Sequence, residues 1–186
     1  MKKGQSNSRR NFIQSTNLVT AGITIIPRHV RPVWPQGIPW PQQSNATVPS
    51  ELDWNLWLGT APYKDYVDGL VPFNWRGWWD YGTGALGDMG CHLIEAPYRV
   101  LNLNYPKDVQ SSVESVYVDE FKRGYFPESC PPSSHVTMTF LKTDKTDSDV
   151  TLHWMDGGIK PMRPLELGPN ETFGDAGNGT FYRNQR

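Results

Sequence analysis

The sequence lacks an excess of one charge, a long apolar run and a cysteine framework, and each absence excludes a class of protein. Its 186 residues carry a formal net charge of -1, so there is no basic field to attract nucleic acid. No run reaches the roughly 18 apolar residues of a membrane-spanning helix. Two cysteines are too few for a small domain held together by disulfides. These absences leave a protein that binds no nucleic acid and has no membrane span.

Loop-forming and aromatic residues are abundant instead. The chain has 16 Pro and 17 Gly, which favour turns and loops, together with eight Trp, eight Tyr and seven Phe. So many aromatic side chains require burial, which excludes a disordered tail. The length fits one domain with appendages. The composition therefore predicts a single loop-rich, aromatic-rich domain.

Residues 1–30 are predicted to be a twin-arginine export signal. Arg9 and Arg10 precede Phe12 and Ile13, and a weakly apolar stretch follows over residues 18–26. No A-x-A cleavage site follows, so retention as an anchor stays open, and the alternative is a disordered basic N-terminus. Residues 31–50, rich in Pro and Gln, are predicted to be a linker. The expected location is the periplasm, with residues 51–186 as the domain proper.

Apolar periodicity predicts an α+β fold. Over residues 87–103 apolar side chains recur at spacings of three and four, which predicts a helix that kinks or breaks at Pro97. Alternation with a period of two predicts half-buried strands over residues 109–119, 136–141 and 150–154. A polar turn over residues 143–148 joins the last two into an antiparallel hairpin. The sequence thus predicts one helix packed on a small, mostly antiparallel sheet, with residues 51–81 as a packed loop.

A glycine string just before that helix matches the letters of a dinucleotide-binding fingerprint but lacks its structural context. Residues 82–87 read GTGALG, which fits G-x-G-x-x-G. The fingerprint needs a buried strand before its first glycine, and the preceding residues 75–81 are WRGWWDY, which does not resemble such a strand. We therefore predict no cofactor-binding residue in this string.

The helix that follows carries the best candidate for chemistry. Asp88, His92 and Glu95 are four and three residues apart, so they share one helix face. A carboxylate beside an imidazole suits acid–base catalysis, whereas the alternative is a capping Asp and a solvated His. A metal site is not predicted, because H-x-x-E is not the H-E-x-x-H zinc motif and no third ligand is evident.

At these residues the sequence resembles a known family. Residues 75–92, WRGWWDYGTGALGDMGCH, are similar to the C-terminal domain of Gfo/Idh/MocA oxidoreductases, and residues 31–37 and 52–59 resemble its twin-arginine-exported bacterial branch. The resemblance implies oxidation or reduction of a sugar or cyclitol with NAD or NADP held in a separate Rossmann domain. It implies that Asp88 and His92 surround the reacting carbinol, with His92 as proton shuttle and Glu95 where relatives often carry Asp. It also implies subunit contacts through the outer sheet face.

The sequence departs from that family pattern in three ways. Residue 30 runs directly into the linker, where relatives carry the Rossmann domain. The Glu-Lys-Pro triplet of that domain is absent, and the chain stops soon after residues 178–181, which resemble the start of a further strand. The expectation is a truncated oxidoreductase without its own cofactor, inactive alone. The alternatives are a non-catalytic module that binds a sugar or docks a partner, and a decayed product without a stable fold.

Further candidates each have two interpretations. Trp75 and Trp79 either stack on a sugar ring or pack in the fold. Arg76 either clamps a substrate group or pairs with Asp80. The remaining candidates are Cys91 and Cys130, expected as free thiols rather than a disulfide, and His135 and His153, expected as ordinary sheet residues.

Overall fold

The computed structural model describes residues 21–26, 46–171 and 179–184. The paired arginines of the predicted export signal and most of the predicted linker lie outside these ranges. Within them, no helix has the length and apolar character needed to cross a membrane.

A five-stranded sheet with the order β2-β5-β6-β1-β7 forms one layer of the fold. Its neighbours pair antiparallel except β1 and β6, which are parallel. A separate two-stranded sheet consists of β3 and β4. The strands are β1 (Ala21–Ile26), β2 (Asp108–Val113), β3 (Tyr117–Asp119), β4 (Lys122–Arg123), β5 (Ser134–Phe140), β6 (Val150–Met155) and β7 (Gly179–Asn184).

One long helix packs on this sheet. It is α2 (Gly84–Val100), preceded by the short helix α1 (Trp54–Leu58) and a 3-10 helix over Asn74–Gly77. The helix runs through Pro97 as one element, so the predicted break there is wrong, whereas the alternative of a kink stays a prediction. Proline cannot donate to the carbonyl of Leu93, and the hydroxyl of Thr180 donates to that oxygen at 3.3 Å instead. The next turn is regular, since the Leu101 N–H donates to the Pro97 oxygen at 3.0 Å.

The main core lies between α2 and the sheet, as the apolar periodicity predicted. Val150, Leu152 and Trp154 of β6 are fully buried, and Val136 and Phe140 of β5 lie beside them. Apolar residues of α2 cover these strands, namely Ala85, Leu86, Met89, Leu93 and Ile94. The predicted α+β class and the predicted β5–β6 hairpin are confirmed.

A second, aromatic core confirms the packed loop predicted over residues 51–81. Trp54 is buried and stacks on Trp57 at 4.9 Å between ring centroids, while Tyr66 meets Trp54 edge-on at 5.3 Å. Trp78 is buried in the same cluster. Asp53 caps α1 by accepting a hydrogen bond from the Leu56 N–H at 2.9 Å.

Two predictions about the sheet differ from the structure. The strand predicted over residues 109–119 is divided into β2 and β3, and every residue of β2 is exposed rather than half-buried. The reason is that β2 is an edge strand and α2 packs mainly over β5 and β6. Residues 1–30 were predicted to lie outside the fold, whereas Ala21–Ile26 forms β1 in the sheet. Export and the use of the sheet face for subunit contacts stay predictions.

Candidate functional site

Helix α2 carries the predicted acid–base residues on one face. Asp88 and His92 are one helical turn apart, and Glu95 lies one turn beyond Cys91 on the same side. Asp88 is half-buried, whereas His92 and Glu95 are exposed. Because α2 begins at Gly84 and Thr83 occupies the capping position, Asp88 lies in the second turn and does not cap the helix.

Arg76 fixes the carboxylate of Asp88. Its Nε lies 2.9 Å from Asp88 Oδ1, and its Nη1 donates to the Phe73 carbonyl at 3.1 Å. The guanidinium also lies over the rings of Trp75 and Phe73, at 4.4 and 4.5 Å from their centroids. These contacts orient the arginine toward the helix. Arg76 is therefore a positioning residue for Asp88.

The structure overturns the alternative that Arg76 pairs with Asp80. Asp80 instead lies 2.6 Å from Lys64 Nζ. Burial and the neighbouring Asp80 charge raise the pKa of Tyr81 to about 12, so its hydroxyl stays protonated at neutral pH. This group of residues belongs to the packing of the aromatic loop.

Glu95 is engaged on the helix surface. Its carboxylate lies 3.4 Å from Arg99 Nη1, an i,i+4 pair in which both side chains are more than half exposed. Such pairs contribute little to stability. Glu95 also borders a shallow groove with Leu86 and Tyr98. Its predicted contact with substrate stays a prediction.

The two tryptophans proposed for substrate binding have different surroundings. Trp75 is half-buried, and its indole N–H donates to the Pro72 carbonyl at 3.1 Å while its ring lies beneath Arg76. Trp79 is 50% exposed, and its side chain lines a large cleft. Packing within the fold therefore accounts for Trp75, whereas the ring of Trp79 is accessible to a ligand in the cleft.

That cleft lies between the start of α2 and the inner side of β2, and it measures about 680 Å³. This volume is within the range of small-molecule sites. Three aromatic side chains line it, namely Trp79, Tyr125 and Phe126, and its polar lining includes Ser111, Glu114 and Asp156. Asp88 and His92 are not among its lining residues. Of the residues proposed for substrate contact, only Trp79 lines this cleft, because its other walls, from α2, the sheet and the loops, come together only in the folded chain.

A buried carboxylate closes the cleft at its sheet side. Asp156 is 6% exposed and accepts hydrogen bonds from the Ser134 N–H at 2.6 Å, the Ser134 hydroxyl at 2.7 Å and the Trp154 indole N–H at 2.6 Å. A buried charge needs this kind of satisfaction by donors. Asp156 therefore ties the two central strands together at one end.

The glycine string has a packing explanation. A Cβ on Gly82 would lie 2.6 Å from the backbone of Arg76, and a Cβ on Gly87 would collide with the Thr83 side chain. The 3-10 helix over Asn74–Gly77 and a turn precede the string, in place of the strand that a dinucleotide site needs. The described residues at this point do not fit a nicotinamide dinucleotide.

Both cysteines are free thiols, as expected. Cys91 is exposed on α2, whereas Cys130 is buried beside the cleft. Burial raises the pKa of the Cys130 thiol to about 12. Cys130 is therefore less accessible than Cys91, and its thiol stays protonated at neutral pH.

Comparison with protein families decides the relationship. Residues 34–140 match the Gfo/Idh/MocA model described as the oxidoreductase family, C-terminal alpha/beta domain. The match covers more than half of the chain. The chain belongs to this family. The Gfo/Idh/MocA resemblance inferred from residues 75–92 is thus confirmed, and the matched range includes all of α2. No curated protein matches the chain.

Proposed function

We propose that this Gfo/Idh/MocA chain is the substrate-side domain of an NAD(P)-dependent oxidoreductase for sugars or cyclitols, and that it does not transfer hydride alone. Family membership supports the oxidoreductase part. The observation that carries the substrate-side part is the Asp88 carboxylate, which Arg76 holds at 2.9 Å one helical turn from His92.

His92 is the residue proposed to exchange a proton with the substrate. A neutral imidazole accepts the hydroxyl proton when an alcohol is oxidised and returns it to oxygen when the carbonyl is reduced. The Asp88 carboxylate lies on the same helix face, one turn before His92. Because the described residues around the glycine string do not fit a dinucleotide, this proton transfer is the only step assigned to the chain.

The exposure of this face supports the need for a second component. His92 and Glu95 face solvent, and Asp88 is only half-buried. Positioning and the exclusion of water supply much of the rate in such reactions. We therefore propose that a cofactor-carrying domain or partner covers this side of α2 in the working enzyme.

A cofactor titration tests the proposal. The purified chain should leave NADH and NADPH fluorescence unchanged over a micromolar titration, and Asp88→Asn should behave identically. Saturable binding at micromolar concentration would overturn the claim that the chain is inactive alone. Restoration of alcohol oxidation by an added Rossmann domain of the family, lost in His92→Gln, would support the substrate-side role.

The cleft favours a second candidate, a non-catalytic sugar-binding module. Trp79, Tyr125 and Phe126 present aromatic surface to a space of about 680 Å³. Tryptophan emission should then change saturably when monosaccharides are added. Trp79→Leu should abolish the response, whereas Trp75→Phe should retain it because that ring packs beneath Arg76. An unchanged emission spectrum in the wild type would refute this candidate.

We also propose export by the twin-arginine route. The support is the pair Arg9 and Arg10 ahead of a short apolar stretch. Lysine at both positions should retain the protein in the cytoplasmic fraction of a bacterial host, whereas the wild type should reach the periplasm. Equal periplasmic amounts of the two would refute the route.

A further inference from the structure

A pair of histidines lies on the sheet face opposite the main core. His135 Nε2 and His153 Nδ1 are 3.1 Å apart, and the Thr137 hydroxyl lies 3.4 and 3.2 Å from these two nitrogens. Both rings are half-buried, with centroids 5.3 Å apart. No sequence pattern predicts this pair, because the two residues are 18 positions apart on different strands.

We propose that His135 and His153 form a two-imidazole site for a divalent transition-metal ion. Imidazole nitrogens bind such ions at about 2.0–2.1 Å, so two nitrogens 3.1 Å apart subtend an angle of about 98° at the ion. That angle lies between the square and the tetrahedral arrangement. The present hydrogen bond between the rings gives way when one ring moves its proton to its other nitrogen.

The sheet holds the two rings in place before any ion arrives. Thr137 lies directly opposite His153 in the antiparallel β5–β6 register, and His135 is two residues before Thr137 on the same face. Ligands on rigid paired strands lose little freedom on binding. The Thr137 hydroxyl is placed to orient either ring as a neighbour of the ligands.

The charge of the strand residues next to the pair suits a cation. The register places Gln110 and Ser112 of β2 beside Thr137 and His135, with Asp108 further along the strand. No Lys or Arg occurs at the positions of β2, β5 and β6 that share this face. Within the described ranges no third His, Cys, Asp or Glu joins the pair, so water fills the other positions around the ion. Imidazole favours Cu²⁺, Ni²⁺ and Zn²⁺, and an open site of this kind exchanges its ion readily.

Calorimetric titration with Ni²⁺ tests the site in the full chain without an affinity tag. Cys91→Ser serves as the background, because the exposed thiol of Cys91 also binds this ion. One Ni²⁺ per chain should bind. His135→Gln and His153→Gln should each weaken binding at least about tenfold, since even the partners of metal ligands commonly contribute that much. The matched control is His92→Gln, which removes an exposed imidazole from α2 and should leave binding unchanged.

A second measurement keeps the test decisive if a variant does not fold. Paramagnetic Ni²⁺ should broaden the ring-proton NMR signals of His135 and His153 before those of His92. The ion should also raise the melting temperature of the background protein and not that of the two variants. No Ni²⁺ binding in the background, equal binding by His135→Gln, or first broadening at His92 would overturn the proposal.

Discussion

Removing the carboxylate of Asp156 should destabilise the fold more than any other single polar change in the sheet. Asp156→Ala leaves the Ser134 N–H and the Trp154 indole N–H without their acceptor, in surroundings where Trp154 has no exposure. The Ser134 hydroxyl rotates and finds another partner. Each buried donor left unsatisfied costs about 1–3 kcal/mol, so the expected loss is about 2–6 kcal/mol. That is a large share of the roughly 5–15 kcal/mol of a typical domain.

Urea denaturation measures this loss, with tryptophan emission and far-UV circular dichroism as parallel probes. Asp156→Asn keeps one acceptor oxygen and should lose about 1–3 kcal/mol, so it serves if the alanine variant does not fold. The matched control is Asp147→Asn on the exposed β5–β6 turn, which should change stability by no more than about 0.5 kcal/mol. An Asp156→Ala protein within about 1 kcal/mol of the wild type would refute the reasoning, because two unsatisfied buried donors together cost at least about 2 kcal/mol.

Three further outcomes follow from packing and ionisation. Gly82→Ala should lower stability by about 1–3 kcal/mol in urea denaturation, because its Cβ would press on the Arg76 backbone at 2.6 Å, and an unchanged midpoint would contradict this. A thiol reagent at neutral pH should modify only Cys91 in the native chain, since burial raises the pKa of Cys130 to about 12. In urea it should modify Cys130 as well. Rapid modification of both thiols in the native chain would contradict this. Burial and the neighbouring imidazole lower the pKa of His153 below its ordinary 6.5. The unfolded chain therefore binds this proton at a higher pH than the folded chain does, so the free energy of unfolding should fall as the pH drops below 6.5. His153→Gln should flatten that part of the stability–pH profile.

The sequence predicted the parts of the fold that depend on periodicity. The apolar spacing of α2 and the alternation in β5 and β6 reflect burial, and the structure buries those faces. Neither the start of α2 nor the division of β2 from β3 was predicted, because both depend on neighbours distant in the chain. β1 was missed because a weakly apolar segment after two arginines resembles an export signal, and only its partners β6 and β7 define it as a strand.

Only the part of the candidate site that lies on helix α2 was predicted from the sequence. Spacing alone placed Asp88 and His92 on one face, because both belong to the same regular element. The partner of Asp88 was missed, since Arg76 reaches it from a 3-10 helix twelve residues earlier through a turn that Gly82 permits. The absence of a side chain at Gly82 therefore allows the turn to pack closely against the backbone of Arg76. Shifting this turn would move Arg76 away from the Asp88 carboxylate while leaving the sequence spacing of Asp88 and His92 unchanged.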